Sequence, residues 1–232
     1  MRLDRFVSET TELTRSLAKR AIMREDVWVN GKPEKRAARH LQADDQVTLN
    51  GQPLSLVGLR YVMLHKPVGV ECTARRALYP RTVDLIDLPL AERLNPVGRL
   101  DVETSGLILM TDDGQWLHRV TSPKKAHPKV YLATLARPLA GDDAQAAIDA
   151  FALGVELESD EEPTRPATLE LIDEHHARLT LVEGRYHQVR RMFAAIGNHV
   201  ETLHRASIGP LALGELAEGR WRELTEQEVA SF

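Results

Sequence analysis

A single cysteine, Cys72, is all this chain offers to sulfur chemistry. One thiol excludes an intramolecular disulfide and a cysteine-based metal cluster, and it suits a reducing compartment. Long hydrophobic runs are missing as well. No stretch approaches the ~20 apolar residues that a membrane helix needs. The opening Met-Arg-Leu-Asp-Arg-Phe is charged at once and lacks the apolar core of a signal peptide. There is no internal repeat and no low-complexity tract. With 43% hydrophobic and 28% charged residues over 232 positions, the composition predicts a soluble, cytoplasmic protein of one or two domains with no membrane partner.

An excess of positive charge is absent too. A formal charge of −4 and a pI of about 6.2 count against nucleic-acid binding if only the total is considered. The distribution changes that inference. Residues 139–175 hold 11 acidic side chains against one base, Arg165, a net of −10, so the rest of the chain carries +6. Exposed charges more than about 8 Å apart are largely screened from one another at physiological salt. A basic face toward phosphates is therefore compatible with an acidic segment elsewhere, which is expected to be solvated surface.

The first fifty or so residues have the pattern of a small unit. Leu3, Phe6 and Val7 have helical spacing, and Leu13, Leu17, Ala21 and Ile22 resume it after Thr10-Thr11. Val27-Trp28-Val29 enters an Asn30-Gly31 turn, and Val47-Thr48-Leu49 enters Asn50-Gly51, the strongest short hairpin signal. Residues 51–58, rich in Gly and Pro with no periodicity, are read as a linker. Residues 2–39 carry 10 basic and 6 acidic side chains. A larger unit follows. Strands are predicted from Arg60 onward to a Pro67-Val68-Gly69 turn and at 106–111, 129–136, 167–172 and 177–183. Helices are predicted near 114–121, 142–152 and 187–196. Clustered strands with few crossover helices imply an α+β fold on a mostly antiparallel, mixed sheet.

The most informative stretch is GRLDVETSGLILMTDDG, residues 98–114. It sets Asp101 in a polar loop at the mouth of the apolar run Leu107–Met110, where a rigid strand holds a reactive side chain beside an open loop. Such an Asp before Thr-Ser-Gly also suits a simple turn cap. The string resembles the catalytic motif of pseudouridine synthases of the RsuA and RluA type, whose Asp acts on a uridine in RNA. Arg60–Gly69 resembles the opening strand of the same core. Residues 183–193, EGRYHQVRRMF, resemble the second signature, and the run from Thr111 to Arg119 and that from Met192 to Val200 place the resemblance nearest the RsuA branch, which acts on small-subunit ribosomal RNA. Near the start, R-L-D-x-F, TRSLAKRAI, VWVNGK and DDQV resemble the S4 RNA-binding domain. The family's usual Gly before the VWVNG strand is replaced here by Arg24-Glu25-Asp26.

The resemblance implies an S4-like domain with linker over 1–57 and a synthase domain over 58–232. It implies RNA contacts by Arg15, Lys19, Arg20 and Arg24. Pseudouridine formation breaks the N1–C1′ bond, rotates the uracil and forms a C5–C1′ bond. No redox step occurs, so no cofactor is implied. A carboxylate assists either as nucleophile or by stabilising charge at the anomeric carbon. Burial disfavours its ionised form, so a counter-ion is expected, and the resemblance assigns that pairing to Arg190. Lys129 and Tyr131 match the family's K-x-Y element, in which the Tyr packs against the target base. Arg99 and Arg191 are further candidate RNA contacts, and Leu203 a lining residue of pocket or core. His118, His175, His176, His187, His199 and His204 have no carboxylate or Cys at metal-ligand spacing, so no metal is expected. The implied partner is ribosomal RNA, in a small-subunit assembly particle, acted on by a monomer.

Overall fold

The structure is a computed structural model that describes residues 1–75 and 78–232. Two compact units divide it. One comprises Met1–Leu59 with Leu88–Glu92, the other Arg60–Asp87 with Arg93–Phe232.

In the first unit, α1 (Leu3–Thr10) and α2 (Arg15–Met23) cover a four-stranded antiparallel sheet of β1 (Val27–Val29), β2 (Lys32–Pro33), β3 (Val47–Leu49) and β4 (Gln52–Leu54), in the order β2-β1-β3-β4. The helical stripe read from the sequence supplies the core: Leu3, Val7, Ala18 and Ile22 meet Val27, Val29 and Val47, all buried. Thr14 starts α2 by accepting from the Leu17 N–H. Both Asn-Gly pairs take left-handed backbone, φ 53° and 74° at Asn30 and Gly31 and φ 50° and 80° at Asn50 and Gly51, as a tight hairpin turn requires. The second hairpin corrects the linker reading, because β4 lies inside residues 51–58 and pairs with β3. Glu25, where the family's Gly is absent, adopts φ 67°, and its carboxylate is held by Lys35 Nζ at 2.6 Å. Asp4 is fully buried on α1. Hydrogen bonds from Arg2, assisted by Arg15 and opposed by burial, hold its carboxyl down at about 2.

In the second unit the strands are β5 (Tyr61–Lys66), β6 (Asn95–Pro96), β7 (Thr104–Thr111), β8 (Lys129–Leu135), β9 (Thr168–Leu171), β10 (His176–Leu181), β11 (Val200–Ile208), β12 (Leu211–Ala212) and β13 (Trp221–Glu223). The helices are α3 (Gly114–Thr121), α4 (Gly141–Leu153), α5 (Gln188–Ala195) and α6 (Glu226–Ala230). The main sheet runs β13-β5-β7-β11-β8-β10-β9, with β12 on β11 and β6 on β7. Among the strands of the described residues only β7 and β11 pair in parallel, so the sheet is mixed and mostly antiparallel, as expected. β7 is buried almost end to end, which explains why Leu107–Met110 reads as a continuous apolar run rather than an alternation. Its contact with β11 depends on Gly106. At φ 111°, a Cβ there would stand 2.3 Å from the Arg205 carbonyl oxygen. Trp116 of α3, fully buried, packs on Met63, Leu107 and Leu109 and donates to the Val229 carbonyl at 3.0 Å, tying the chain's end to the core. No helix of the described residues is long and apolar enough to cross a membrane.

Candidate active site

The loop before β7 is fixed mainly by its backbone. The Leu100 N–H donates to Cys72 Sγ at 3.4 Å. The Val102 carbonyl accepts from the Gly69 N–H at 2.9 Å and from Lys66 Nζ at 3.4 Å, the Glu103 carbonyl accepts from Arg190 Nη2 at 3.4 Å, and the Thr104 N–H closes a turn on the Asp101 carbonyl at 3.0 Å. Asp101 therefore sits on a clamped turn with its carboxylate partly open to solvent. Lys66 is wholly buried at the end of β5, and its Nζ also donates to the carbonyls of Pro67 and Val70. Burial lowers its pKa, while the Cys72 thiol and the Asp101 carboxylate act in the opposite direction.

Asp101 faces a cleft of about 860 Å³ whose walls include Arg99, Tyr131, His187, Leu203 and Arg205. β8 and β11 are hydrogen-bonded neighbours with Tyr131 opposite Arg205, which puts the two side chains at one level of the wall. Tyr131 and Leu203 are buried, giving an apolar surface against which a base can lie. Arg205, 3% exposed, donates from Nε to the Leu107 carbonyl at 2.8 Å and lies with Nη1 at 3.5 Å from the Tyr131 hydroxyl. Its Nη2 is buried without a partner among the described residues. Lys129 is half-buried, and its pKa is lowered by burial and then by the nearby Arg205 charge, against the pull of Glu183.

The third wall is the segment Glu183–His187 leading into α5. Gln188 ties it together, accepting from the Arg185 N–H at 2.8 Å and donating to Glu183 at 2.6 Å. His187 adopts left-handed backbone, φ 47°, before the helix begins. That conformation is uncommon outside glycine and is retained where surrounding contacts impose it. It brings His187 Nε2 to 3.4 Å from Asp101 Oδ1. The Tyr186 ring stacks on the His187 ring at 3.9 Å between centroids.

Asp101, Tyr131, Lys129 and Arg99 thus come to one cleft. Arg190 requires a correction. It does not ion-pair with Asp101, since its Nη1 donates to the Val200 carbonyl at 2.6 Å and its Nη2 to the Glu103 carbonyl. It braces the Asp101 loop against β11, and the ionisable partner beside Asp101 is His187. Arg191, expected at the RNA, spends its guanidinium on Asp160, at 2.7 Å, and on the Glu158 and Tyr186 carbonyls. Asp160 also takes Arg185 at 3.0 Å, so part of the acidic segment read as solvated surface supports the site instead. His187, Arg205, Lys66 and Asp160 were missed as site residues. His187 lay in plain view inside EGRYHQVRRM, but only its left-handed backbone turns it toward Asp101. Arg205 had no signal beyond following Leu203 at strand spacing. In the first unit, Arg15 and Lys19 reach the buried Asp4 at 3.3 and 4.0 Å, whereas Arg20 and Arg24 are exposed with no ion-pair partner among the described residues. Among those residues no group of three His, Cys, Asp or Glu is placed to hold a metal.

Residues 60–195 match the RNA pseudouridylate synthase family, and residues 1–47 the S4 domain. The chain is 47% identical to ribosomal small subunit pseudouridine synthase A of Pasteurella multocida, covering 100% of this chain and 99% of that one. It is 46% identical to the protein of the same name in Escherichia coli strain K12, with the same coverage. A solved structure titled as the crystal structure of pseudouridylate synthase superposes with a TM-score of 0.69 at 45% identity, over 100% of this chain and 99% of that one. With its Asp101 loop and K-x-Y strand both inside the matched region, the chain belongs to the RNA pseudouridylate synthase family and carries an S4 domain at its N-terminus.

Proposed function

We propose that this protein converts one uridine of 16S, small-subunit ribosomal RNA to pseudouridine, with Asp101 as the reacting carboxylate, and that it acts in the cytoplasm as a monomer on RNA within an assembling small subunit. The observation that carries this reading is the clamped turn of Asp101 facing Tyr131, Leu203 and Arg205 across one cleft. The names of the full-length relatives support the choice of RNA.

The chemistry follows from that arrangement. A uridine extruded from its stack enters the cleft and lies against the buried faces of Tyr131 and Leu203. The N1–C1′ bond breaks as the Asp101 carboxylate bonds to the sugar or base or holds the positive charge that develops at the anomeric carbon. The uracil turns, C5 bonds to C1′ with release of any bond made to Asp101, and the C5 proton is lost as N1 gains one, so the carboxylate is regenerated and the product is an isomer. Arg205 orients the Tyr131 hydroxyl, Arg190 and Lys66 hold the Asp101 loop, and His187 supplies a polar edge beside the carboxylate. Arg99 and Lys129 meet the RNA backbone. Arg20 of α2 and Arg24 at its C-terminal cap, with Arg15 and Lys19 beside them, dock structured RNA.

The test is pseudouridine mapping of both ribosomal RNAs from cells lacking the protein, complemented with the native chain or Asp101→Asn. The expected result is one small-subunit site lost in the deletion and restored by the native chain only, while purified Asp101→Asn retains RNA affinity, because an uncharged isostere removes no phosphate contact. A lost site in the large subunit would refute the substrate assignment. Restoration by Asp101→Asn would refute the role of the carboxylate and leave a protein that serves by binding RNA.

A further inference from the structure

Tyr186 is 73% exposed, and so stands apart from Tyr131, which is 8% exposed in the same cleft. An exposed tyrosine in a loop ordinarily samples several rotamers, and an aromatic pair ordinarily meets edge to face or offset. Here the Tyr186 and His187 rings lie within 16° of parallel at 3.9 Å between centroids, and both line the Asp101 cleft. One face of the phenol ring is covered by the imidazole and the opposite face is left to solvent.

The pair is held from behind. The Tyr186 carbonyl accepts from Arg191 Nη1 at 3.3 Å, Arg191 is fixed by Asp160, and Gln188 accepts from the Arg185 N–H. The left-handed turn at His187 sets the imidazole with Nε2 toward Asp101. The result is a short stack that begins at the reactive carboxylate and ends in an open aromatic face at the rim of the cleft.

We propose that the Tyr186–His187 pair is a second base-binding subsite, a stacking platform for an unpaired nucleobase next to the uridine that reaches Asp101. The assignment rests on the reading that the Asp101 cleft takes a uridine of RNA. Extruding that uridine leaves its neighbours without a stacking partner. A ring held with one face open replaces part of that stacking, and because every base has a π-face it does so without demanding a sequence. Arg99 and Arg165, exposed on the same cleft, are placed for the phosphates on either side. A tyrosine that served only to shield the His187–Asp101 contact would bury its ring against them instead of leaving most of it in water.

The experiment uses the full chain and a small-subunit ribosomal RNA fragment containing the mapped uridine, with 2-aminopurine placed at each flanking position in turn. Native protein and Tyr186→Phe, which keeps the ring, are expected to quench one flanking 2-aminopurine. Tyr186→Ala is expected to leave it fluorescent and to weaken RNA binding about tenfold, or about 1.4 kcal/mol, within the range of base–aromatic stacking. KM rises accordingly while kcat on saturating RNA is unchanged, the signature of lost uniform binding. The ring is exposed, so its removal leaves the core packing intact, and Tyr186→Phe controls for the substitution itself. Native affinity and quenching in Tyr186→Ala would overturn the subsite, as would a loss confined to kcat, the result expected of a shield. Quenching by native protein that forms no pseudouridine would sink the catalytic reading and leave the subsite standing.

Discussion

Arg205 places a buried cation between two strands, with Nε on the Leu107 carbonyl of β7 and Nη1 at 3.5 Å from the Tyr131 hydroxyl of β8. Lysine keeps the charge but lacks the planar fork that reaches both at once. Arg205→Lys is therefore expected to lower stability by about 1–3 kcal/mol through the lost charge-assisted bond and to slow single-turnover pseudouridine formation. If the slower rate arises through Tyr131, a double-mutant cycle with Tyr131→Phe will be non-additive. Additive losses in rate would show that the contact at 3.5 Å contributes nothing to the reaction. At this scale the sequence was legible where the site is contiguous. Asp101, Lys129 and Tyr131 each sit in a recognisable string. It was illegible where function depends on which atoms a long side chain meets. Arg190 could be placed beside the Asp101 loop, but a guanidinium has five donors and competing backbone carbonyls. The carbonyls of Val200 and Glu103 took its two terminal nitrogens, and His187 took the place beside the carboxylate.

The segment after α4 shows how an element can be misread from charge alone. Between residues 156 and 162 most carboxylates are exposed, yet Asp160 joins Arg185 and Arg191 and so braces the start of α5. Hydrogen bonds from Arg191 and then Arg185 lower its pKa. Asp160→Asn removes the charge that gathers both guanidiniums. The pairs are partly exposed and screened by solvent, so the support is modest, about a factor of a few in the local opening equilibrium of the loop. Hydrogen exchange at residues 183–187 is expected to quicken by that factor while the β7 and β11 amides stay as they were, and Asp160→Glu is expected to recover part of the protection. Unchanged exchange in the loop would mean that Asp160 is only a surface ion-pair partner. Periodicity, by contrast, predicted most elements well, because it reports which face is buried. The helix predicted at 114–121 is α3 residue for residue. β4 escaped because Gln52-Pro53-Leu54 contains a proline and no alternation. A proline is tolerated there since β4 is an edge strand.

Across the whole molecule, the total charge of −4 conceals a division of labour. The second unit builds its sheet from β5 through β13 with no strand from the first, and its core residues lie within its own chain segments. Residues 60–232 are therefore expected to fold without residues 1–59. They retain Asp101, Tyr131, Lys129 and Arg205, so the truncated protein should still convert uridine in a short RNA that presents it unpaired. What it loses is the basic helix α2. Affinity for phosphates falls linearly in log–log terms with salt, by about 0.7–0.9 per phosphate neutralised. Arg20 and Arg24 are free to make such contacts, and Arg15 and Lys19 are partly committed to Asp4. Two to four lost contacts predict a salt slope for small-subunit RNA shallower by about 1.4 to 3.6 in the truncated chain, with weaker binding at low salt and a smaller difference from the full chain as salt rises. Equal slopes for the two proteins would place the phosphate contacts on the catalytic unit and deny the helix its role. Which nucleotide is modified was beyond the sequence for a physical reason: phosphate contacts fix position without reading bases. The choice of nucleotide lies in how loops shape the cleft around a target that the chain itself does not encode.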